Sequence, residues 1–319
     1  MPITAPPHHD VNDQRPRVLE HFVGQRNVVE RIRVALESSW RDGVRLPHML
    51  FTGGGGLGKT QLCEVVAREM GCELIQQLGQ NLNSPSAISA FLLEGEHRNI
   101  LGIDEIHMLL PAAQTALYRA LEEQCLYLPS CQPGGSSQAI NLSNFTLIGA
   151  TTDQYALLGP LLQRFKIIAY FRKYSPDELS TLLDQRCQML KWAIDSGVLA
   201  AISQRGRGTP RIALRLLEAC RRTARAAGDD TISMNTFIAT CRLEEVDDAG
   251  LDHIERRYLT LLSESPAGTR LNVAAAQLGL PRRTVQKIIE LSLLEESFIE
   301  KDRNGLRLLT DKGRRHLEK

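Results

Sequence analysis

Gly53-Gly54-Gly55-Gly56-Leu57-Gly58-Lys59-Thr60 follows the pattern G-x-x-x-x-G-K-[ST]. Glycines at these positions let backbone N–H groups curl round phosphate oxygens, and a helix starting at the lysine adds its positive dipole end. The lysine then neutralises the β- and γ-phosphates of a nucleoside triphosphate, and the threonine hydroxyl ligates Mg2+. Ile103-Asp104-Glu105 supplies the complement, two acids closing an apolar run. Asp104 suits the Mg2+ shell, and Glu105 suits the polarising of an attacking water. Thr151 and Thr152 close the next apolar run, where a hydroxyl can meet the γ-phosphate or that water. Arg164 and Arg211 are each placed where an arginine can reach a phosphate, Arg164 that of a neighbouring subunit. By residue type alone both read as surface arginines by default.

These residues need a frame. His48-Met49-Leu50-Phe51, Ile100–Ile103 and Phe145–Ala150 are short apolar runs, the signature of buried parallel strands. Helical patterns fit between them at Gln25–Trp40, Gln61–Met70, Ser86–Glu94 and Ala112–Glu123. The fold class expected for 15–174 is therefore α/β, a P-loop parallel-sheet domain. From 175 to 248 the patterns are helical, opening on Ser175-Pro176-Asp177-Glu178 with serine as cap and proline at the first helical position. Asp247-Asp248-Ala249-Gly250 reads as a linker. In 249–319, helical patterns at Asp252–Ser263, Asn272–Leu278 and Arg282–Leu294 precede two short strands around Asp302-Arg303-Asn304-Gly305. Three helices and a hairpin resemble a winged helix-turn-helix.

Composition narrows the class. The chain has 319 residues, 43% hydrophobic and 24% charged, with a formal net charge of +1, so any nucleic-acid surface must be local. From Gly250 to Lys319, 13 Lys/Arg against 10 Asp/Glu leave +3, with Arg282, Arg283 and Lys287 on one helix and Lys301, Arg303 and Arg307 on the hairpin. Such cations suit phosphate contacts without base readout; a solvated basic face or a protein-binding winged helix is the other reading. Seven cysteines without a C-x-x-C pair argue against a disulfide framework or a zinc site and for a cytoplasmic protein with reduced thiols. No apolar run is long enough to span a membrane, and residues 1–14 read as a flexible tail rather than a signal peptide.

Together, Arg15-Pro16 through Phe22-Val23-Gly24-Gln25, Gly53–Thr60, Ile103-Asp104-Glu105-Ile106-His107, Phe145–Thr152 and Gly208-Thr209-Pro210-Arg211-Ile212-Ala213 resemble the RuvB family, AAA+ motors that drive branch migration of Holliday junctions in DNA recombination and repair. The resemblance runs from about Arg15 to the C-terminus. It implies an AAA+ ATPase domain, a helical lid and a winged helix, and an ATP- and Mg2+-dependent helicase or translocase. Arg15 would then lie by the nucleotide, while Gly56, Gly58, Lys59 and Thr60 hold phosphate and metal. Thr152 would be the sensor residue on the strand, with Thr151 as the alternative. Arg164 would be the arginine finger acting across a subunit interface, Tyr174 the residue packed near the nucleotide at the entry to the lid, and Arg211 the second sensor. Glu122 and Glu123 match a segment used near the neighbour's nucleotide. Lys301, Arg303 and Arg307 fall near the DNA contacts. The resemblance further implies a hexameric ring around duplex DNA and a RuvA partner.

Four departures stand out. Gly54-Gly55 replaces the usual Pro-Pro, so the loop should be freer and cost more to order. Leu162 and Asp153 stand at usual arginine sites, which leaves Arg164 as the sole finger candidate of its segment. The hairpin at 125–143, the counterpart of the one that grips RuvA, has a turn rich in Gly, Ser and Pro over Ser130–Ser137. Lys166 follows Phe165 where the family usually has glycine. Together these mark a divergent member of the family. Two other functional readings stand beside the motor, a loader or remodeller of another DNA-bound complex and a nucleotide-bound DNA-binding scaffold.

Overall fold

The computed structural model describes residues 15–128 and 138–318. The expected tail at 1–14 and the hairpin turn lie outside the described residues. The chain packs as two compact units, Met1–Glu218 and Ala219–Lys319.

The first unit is an α/β sheet with helices. Its elements run α1 (Arg26–Asp42), β1 (Met49–Thr52), α2 (Lys59–Glu69), β2 (Leu74–Leu78), α3 (Pro85–Leu93), β3 (Ile100–Asp104), α4 (Pro111–Glu123), β4 (Cys125–Leu128), β5 (Gln138–Asn141), β6 (Thr146–Thr151), α5 (Gly159–Leu162), β7 (Ile167–Tyr170), α6 (Pro176–Leu190), β8 (Ala193–Ile194) and α7 (Val198–Arg205). The helix α8 (Pro210–Ala226) begins in it. Five strands form a parallel sheet in the order β2-β3-β6-β1-β7, and β4 and β5 form an antiparallel hairpin. Every residue of β1 and β6 is buried, as the unbroken apolar runs require of strands covered on both faces. Leu50, Leu101, Ile103 and Leu147 from the sheet, with Phe145 just before β6, pack with Ile88, Phe91 and Leu117 from the helices. Register pairs Thr52 with Thr151, so β1 and β6 end side by side, and everything emerging from the carboxyl ends of β1, β3 and β6 shares one edge. At α6 the Ser175 hydroxyl accepts from the Glu178 N–H while the Glu178 carboxylate accepts from the Ser175 N–H, a capping box that fixes where this helix starts.

The second unit continues with β9 (Thr231–Ile232), α9 (Met234–Leu243), α10 (His253–Ser263), α11 (Leu271–Leu278), α12 (Arg282–Thr284), α13 (Glu290–Glu295), β10 (Ile299–Lys301), β11 (Arg307–Leu309) and α14 (Asp311–Leu317). Its winged-helix core is Tyr258, Leu259, Val285, Ile289, Leu293, Phe298 and Leu309. Three features go beyond the sequence expectation. The 175–248 stretch, expected to be all helix, carries the two-residue strands β8 and β9. The expected single helix from Arg282 is interrupted by a π turn over Val285–Ile289. That wider turn ends just before Glu290, a buried carboxylate drawn to Tyr258 and Arg307. A last helix, α14, is capped by the Thr310 hydroxyl, which accepts from the Gly313 N–H. Among the described residues no helix is long and apolar enough to cross a membrane.

Candidate nucleotide site

The loop between β1 and α2 is shaped by three glycines with positive φ: Gly53 at 146°, Gly56 at 75° and Gly58 at 97°. A Cβ on Gly53 would meet the Phe171 carbonyl oxygen at 2.5 Å, and one on Gly56 would meet the Arg211 Cβ at 2.9 Å. These glycines are therefore dictated both by backbone conformation and by close approach. Gly54 and Gly55 are outside the left-handed region, and a Cβ on Gly55 would meet nothing within 4 Å.

Lys59 opens α2 and is buried, with Nζ donating to the Gly53 carbonyl at 2.9 Å and the Gly54 carbonyl at 2.8 Å. Burial pushes its ammonium below the ordinary value; Glu105 and Asp104 oppose that shift, and Arg211 adds to it. The Thr60 hydroxyl donates to Asp104 Oδ2 at 2.9 Å, and Asp104 Oδ1 accepts the Glu105 N–H at 2.9 Å. One threonine and one carboxylate thus meet as adjacent hard oxygen donors. Among the described residues no cluster of three His, Cys, Asp or Glu side chains exists that could hold a metal by itself. That donor set fits Mg2+, which commonly takes one or two carboxylates and completes its shell with water and substrate phosphate.

Glu105 stands just beyond β3 with φ of 50°, and its side chain is fixed from two sides. The Thr152 hydroxyl donates to Glu105 Oε2 at 3.3 Å, and His107 Nδ1 lies 3.1 Å from the same oxygen. Thr151 Oγ1 is 3.1 Å from His107 Nδ1 and accepts the Asp153 N–H at 3.0 Å. Of the two candidate threonines, Thr152 touches Glu105 directly, and Thr151 is buried behind the histidine. His107 had no role in the sequence reading; its position two residues after Glu105, at the same sheet edge, was the available signal.

A cleft of about 590 Å³ collects Arg15, Gly56, Gly58, Lys59, Thr60 and Asp104 with Glu105, Tyr174 and Arg211. Arg15 pairs with Glu64 at 3.1 Å. The buried Tyr174 hydroxyl donates to the Leu57 carbonyl at 3.4 Å, its ring presses on Gly24, and burial pushes the phenol up. The Arg211 N–H donates to the Gly56 carbonyl at 3.4 Å, so the start of α8 sits directly on the loop. Arg186 of α6 also lines the cleft and was missed, because a helical arginine between Gln185 and Cys187 carries no pattern.

Four expected residues stand off this lining. Thr152 reaches it only through Glu105. Arg164, just past α5, forms a 2.7 Å ion pair with Glu122 of α4. Glu123 accepts a hydrogen bond from Tyr127, raising that phenol.

In the second unit the hairpin cations are arranged differently from the expectation. Arg307 is buried, with Nε 2.7 Å and Nη2 3.1 Å from the Glu290 carboxylate. Lys301 Nζ lies 3.0 Å from the same group. Burial alone would raise the Glu290 carboxyl, but the bonds from Arg307, Tyr258 and Lys301 outweigh it and hold the group below its usual range. Arg307 is thus spent on the fold and does not suit a DNA contact. Arg303, in the turn, is exposed, as are Arg282, Arg283 and Lys287.

Residues 14–171 match the family described as the Holliday junction DNA helicase RuvB P-loop domain, 174–247 the RuvB AAA lid domain and 248–318 the RuvB C-terminal winged helix domain. The chain is 37% identical over 306 residues to the Holliday junction branch migration complex subunit RuvB of Rubrobacter xylanophilus, covering 95% of this chain and 86% of the relative. It is 37% identical over 306 residues to the subunit of the same name from Paramagnetospirillum magneticum, covering 95% and 88%. Among solved structures, the Thermotoga maritima RuvB Holliday junction branch migration motor superposes with a TM-score of 0.83 at 33% identity, over 95% of this chain and 98% of that one.

Proposed function

The chain belongs to the RuvB family, and on that premise we propose that it is an ATP-hydrolysing motor that drives branch migration of Holliday junctions. The observation that carries the reading is the convergence at one sheet edge of Lys59, the 2.9 Å Thr60–Asp104 contact and Glu105, with Arg211 on the loop. Lys59 and Arg211 bind and orient the triphosphate. Glu105, oriented by Thr152 and His107, takes the proton of the attacking water. Thr60 and Asp104 would hold Mg2+, which would supply charge neutralisation to the triphosphate. Tyr174 and Arg15 line the cleft at the entry to the lid.

Arg164 is the arginine supplied to a neighbouring subunit's γ-phosphate, with Glu122 and Glu123 beside it on the same surface. Its absence from the lining of its own cleft supports this, its guanidinium being paired instead with Glu122 on α4. A site shared head-to-tail closes into a ring, here a homo-hexamer on duplex DNA. The ring works in the cytoplasm with a RuvA-like partner. DNA is held through Arg282, Arg283, Lys287 and Arg303, with Lys301 at the margin, since Arg307 is committed to Glu290.

The test is ATP-driven dissociation of a synthetic four-way junction by the full chain with its cognate RuvA. Wild type should dissociate the junction, whereas Glu105→Gln should bind ATP and leave the junction intact. Intact ATPase with no junction movement, with or without RuvA, would reject branch migration in favour of remodelling another complex.

A further inference from the structure

Arg186 is 6% exposed on α6, and its Nη1 has no hydrogen-bond partner. A buried guanidinium nitrogen without an acceptor is costly, and folds ordinarily supply one. Here none is supplied, although Gln185, the preceding residue, finds the His21 carbonyl at 3.1 Å. The side chain lines the same cleft as Lys59 and Arg211. Arg15, also on that lining, is close enough to push the Arg186 guanidinium further below its ordinary value, beyond the effect of burial. Cations therefore outnumber acids on the lining of the cleft: Arg15, Lys59, Arg186, Arg211 and Arg215, against Asp104, Glu105 and Glu218. Like charges held together around a hollow, one of them with an unused donor, make a receptor for a polyanion.

We propose that Arg186 is a nucleotide-binding residue, with Nη1 donating to an acceptor oxygen of the bound nucleotide from the α6 wall. The proposal rests on the reading of this cleft as the ATP site and adds a contact to it. The arginine is kept at a cost to the unliganded fold because the ligand recovers it. Two effects of opposite sign follow, and no purely structural arginine would give both. Arg186→Met removes the unpartnered charge, so the chain without nucleotide should melt about 2–4 °C higher. The same variant should bind nucleotide about 10- to 100-fold more weakly, the loss expected for one hydrogen bond to a charged donor. The upward shift in Tm caused by saturating Mg-ATP should shrink accordingly.

The experiment is thermal unfolding of the full chain with and without Mg-ATP, titration with a fluorescent ATP analogue, and steady-state ATPase. It compares wild type, Arg186→Met and Arg186→Lys. The expected pattern for Arg186→Met is a raised Tm without nucleotide, a weakened Kd and a raised KM, with kcat changed less than KM; Arg186→Lys should fall between. Lowered Tm with unchanged Kd would overturn the proposal and make Arg186 a structural residue. An unchanged Kd together with a raised Tm would also overturn it, leaving the nucleotide site itself standing. Wild type that binds no analogue would instead reject the reading of the cleft, and this inference with it.

Discussion

Arg307→Ala separates a residue of the fold from a residue of the DNA surface. Glu290 is fully buried, and its carboxylate is met by Arg307 at 2.7 and 3.1 Å, by the Tyr258 hydroxyl at 2.6 Å and by Lys301 at 3.0 Å. Arg307 also donates from Nη1 to the Gly305 carbonyl at 2.6 Å, tying the turn to the strand. Truncation removes the two bonds to the carboxylate and the one to the Gly305 carbonyl, and leaves a buried anion with one hydroxyl and the exposed Lys301. Breaking such a pair typically costs about 3–5 kcal/mol. With a urea m-value of about 2 kcal/mol per molar, the midpoint of the Ala219–Lys319 unit should fall by about 1.5–2.5 M.

The assay has a built-in reference. Both tryptophans, Trp40 and Trp192, lie in the Met1–Glu218 unit, so their emission follows that unit, while far-UV circular dichroism follows the whole chain. Arg307→Ala should pull a low-urea phase out of the dichroism curve and leave the fluorescence transition in place. The double variant Glu290→Leu with Arg307→Met should recover most of the loss, because replacing both members of a buried pair with apolar groups is commonly neutral or better. An unchanged dichroism curve, with duplex binding weakened and its salt slope lower by about one, would refute the assignment and return Arg307 to the DNA surface.

Three further outcomes are expected. Gly54→Ala with Gly55→Ala should stabilise the chain by about 0.4–1 kcal/mol per site, because neither glycine uses a left-handed conformation and the added Cβ atoms have room; a lower Tm would contradict this. His48 accepts the Leu147 N–H on Nδ1 while Nε2 has no partner, and burial first, then Arg45 and Lys166, push it from 6.5 to about 3. The unfolded chain gains a proton below 6.5 that the fold refuses until about 3, so stability is full above 6.5 and falls as pH drops. Wild type should lose about 2 kcal/mol more than His48→Gln between pH 6.5 and pH 5, read as a difference of urea midpoints. Arg164→Ala should abolish hydrolysis alone and regain it in mixed assemblies whose other subunits carry the arginine but lack Glu105; absence of rescue would argue against a shared site.

The legible parts of the chain are those whose constraints are local. Gly53, Gly56 and Gly58 are required by positive φ within the loop, Asp104 and Glu105 by the end of a buried strand, and Ser175 with Glu178 by a helix start that satisfies its own N–H groups. Each is decided within a few residues, so spacing reports it. Arg307 is the opposite case. In β11 alternation places it on the same face as Leu309, and both are buried. An arginine on that face reads as solvent-facing until a carboxylate from Glu290, on another element, is known to lie underneath. Arg186 and His107 were hidden for the same reason, since burial and partner are properties of the assembled unit.

Lys59 shows how the loop and its ligand are coupled. Its ammonium is held by two carbonyls of the loop itself, Gly53 and Gly54, at 2.9 and 2.8 Å. The ammonium has a third N–H, which is left to meet a phosphate oxygen in a bond where both partners are charged. Burial and Arg211 depress the Lys59 ammonium, so a polyanion also stabilises the charged form that burial disfavours. Both effects favour binding. Gly54 and Gly55 use no left-handed conformation and have no close neighbours, so adjustment of the loop to its ligand is easiest there. Glycines at these two positions therefore keep the loop free to adjust and raise the entropy lost when nucleotide orders it.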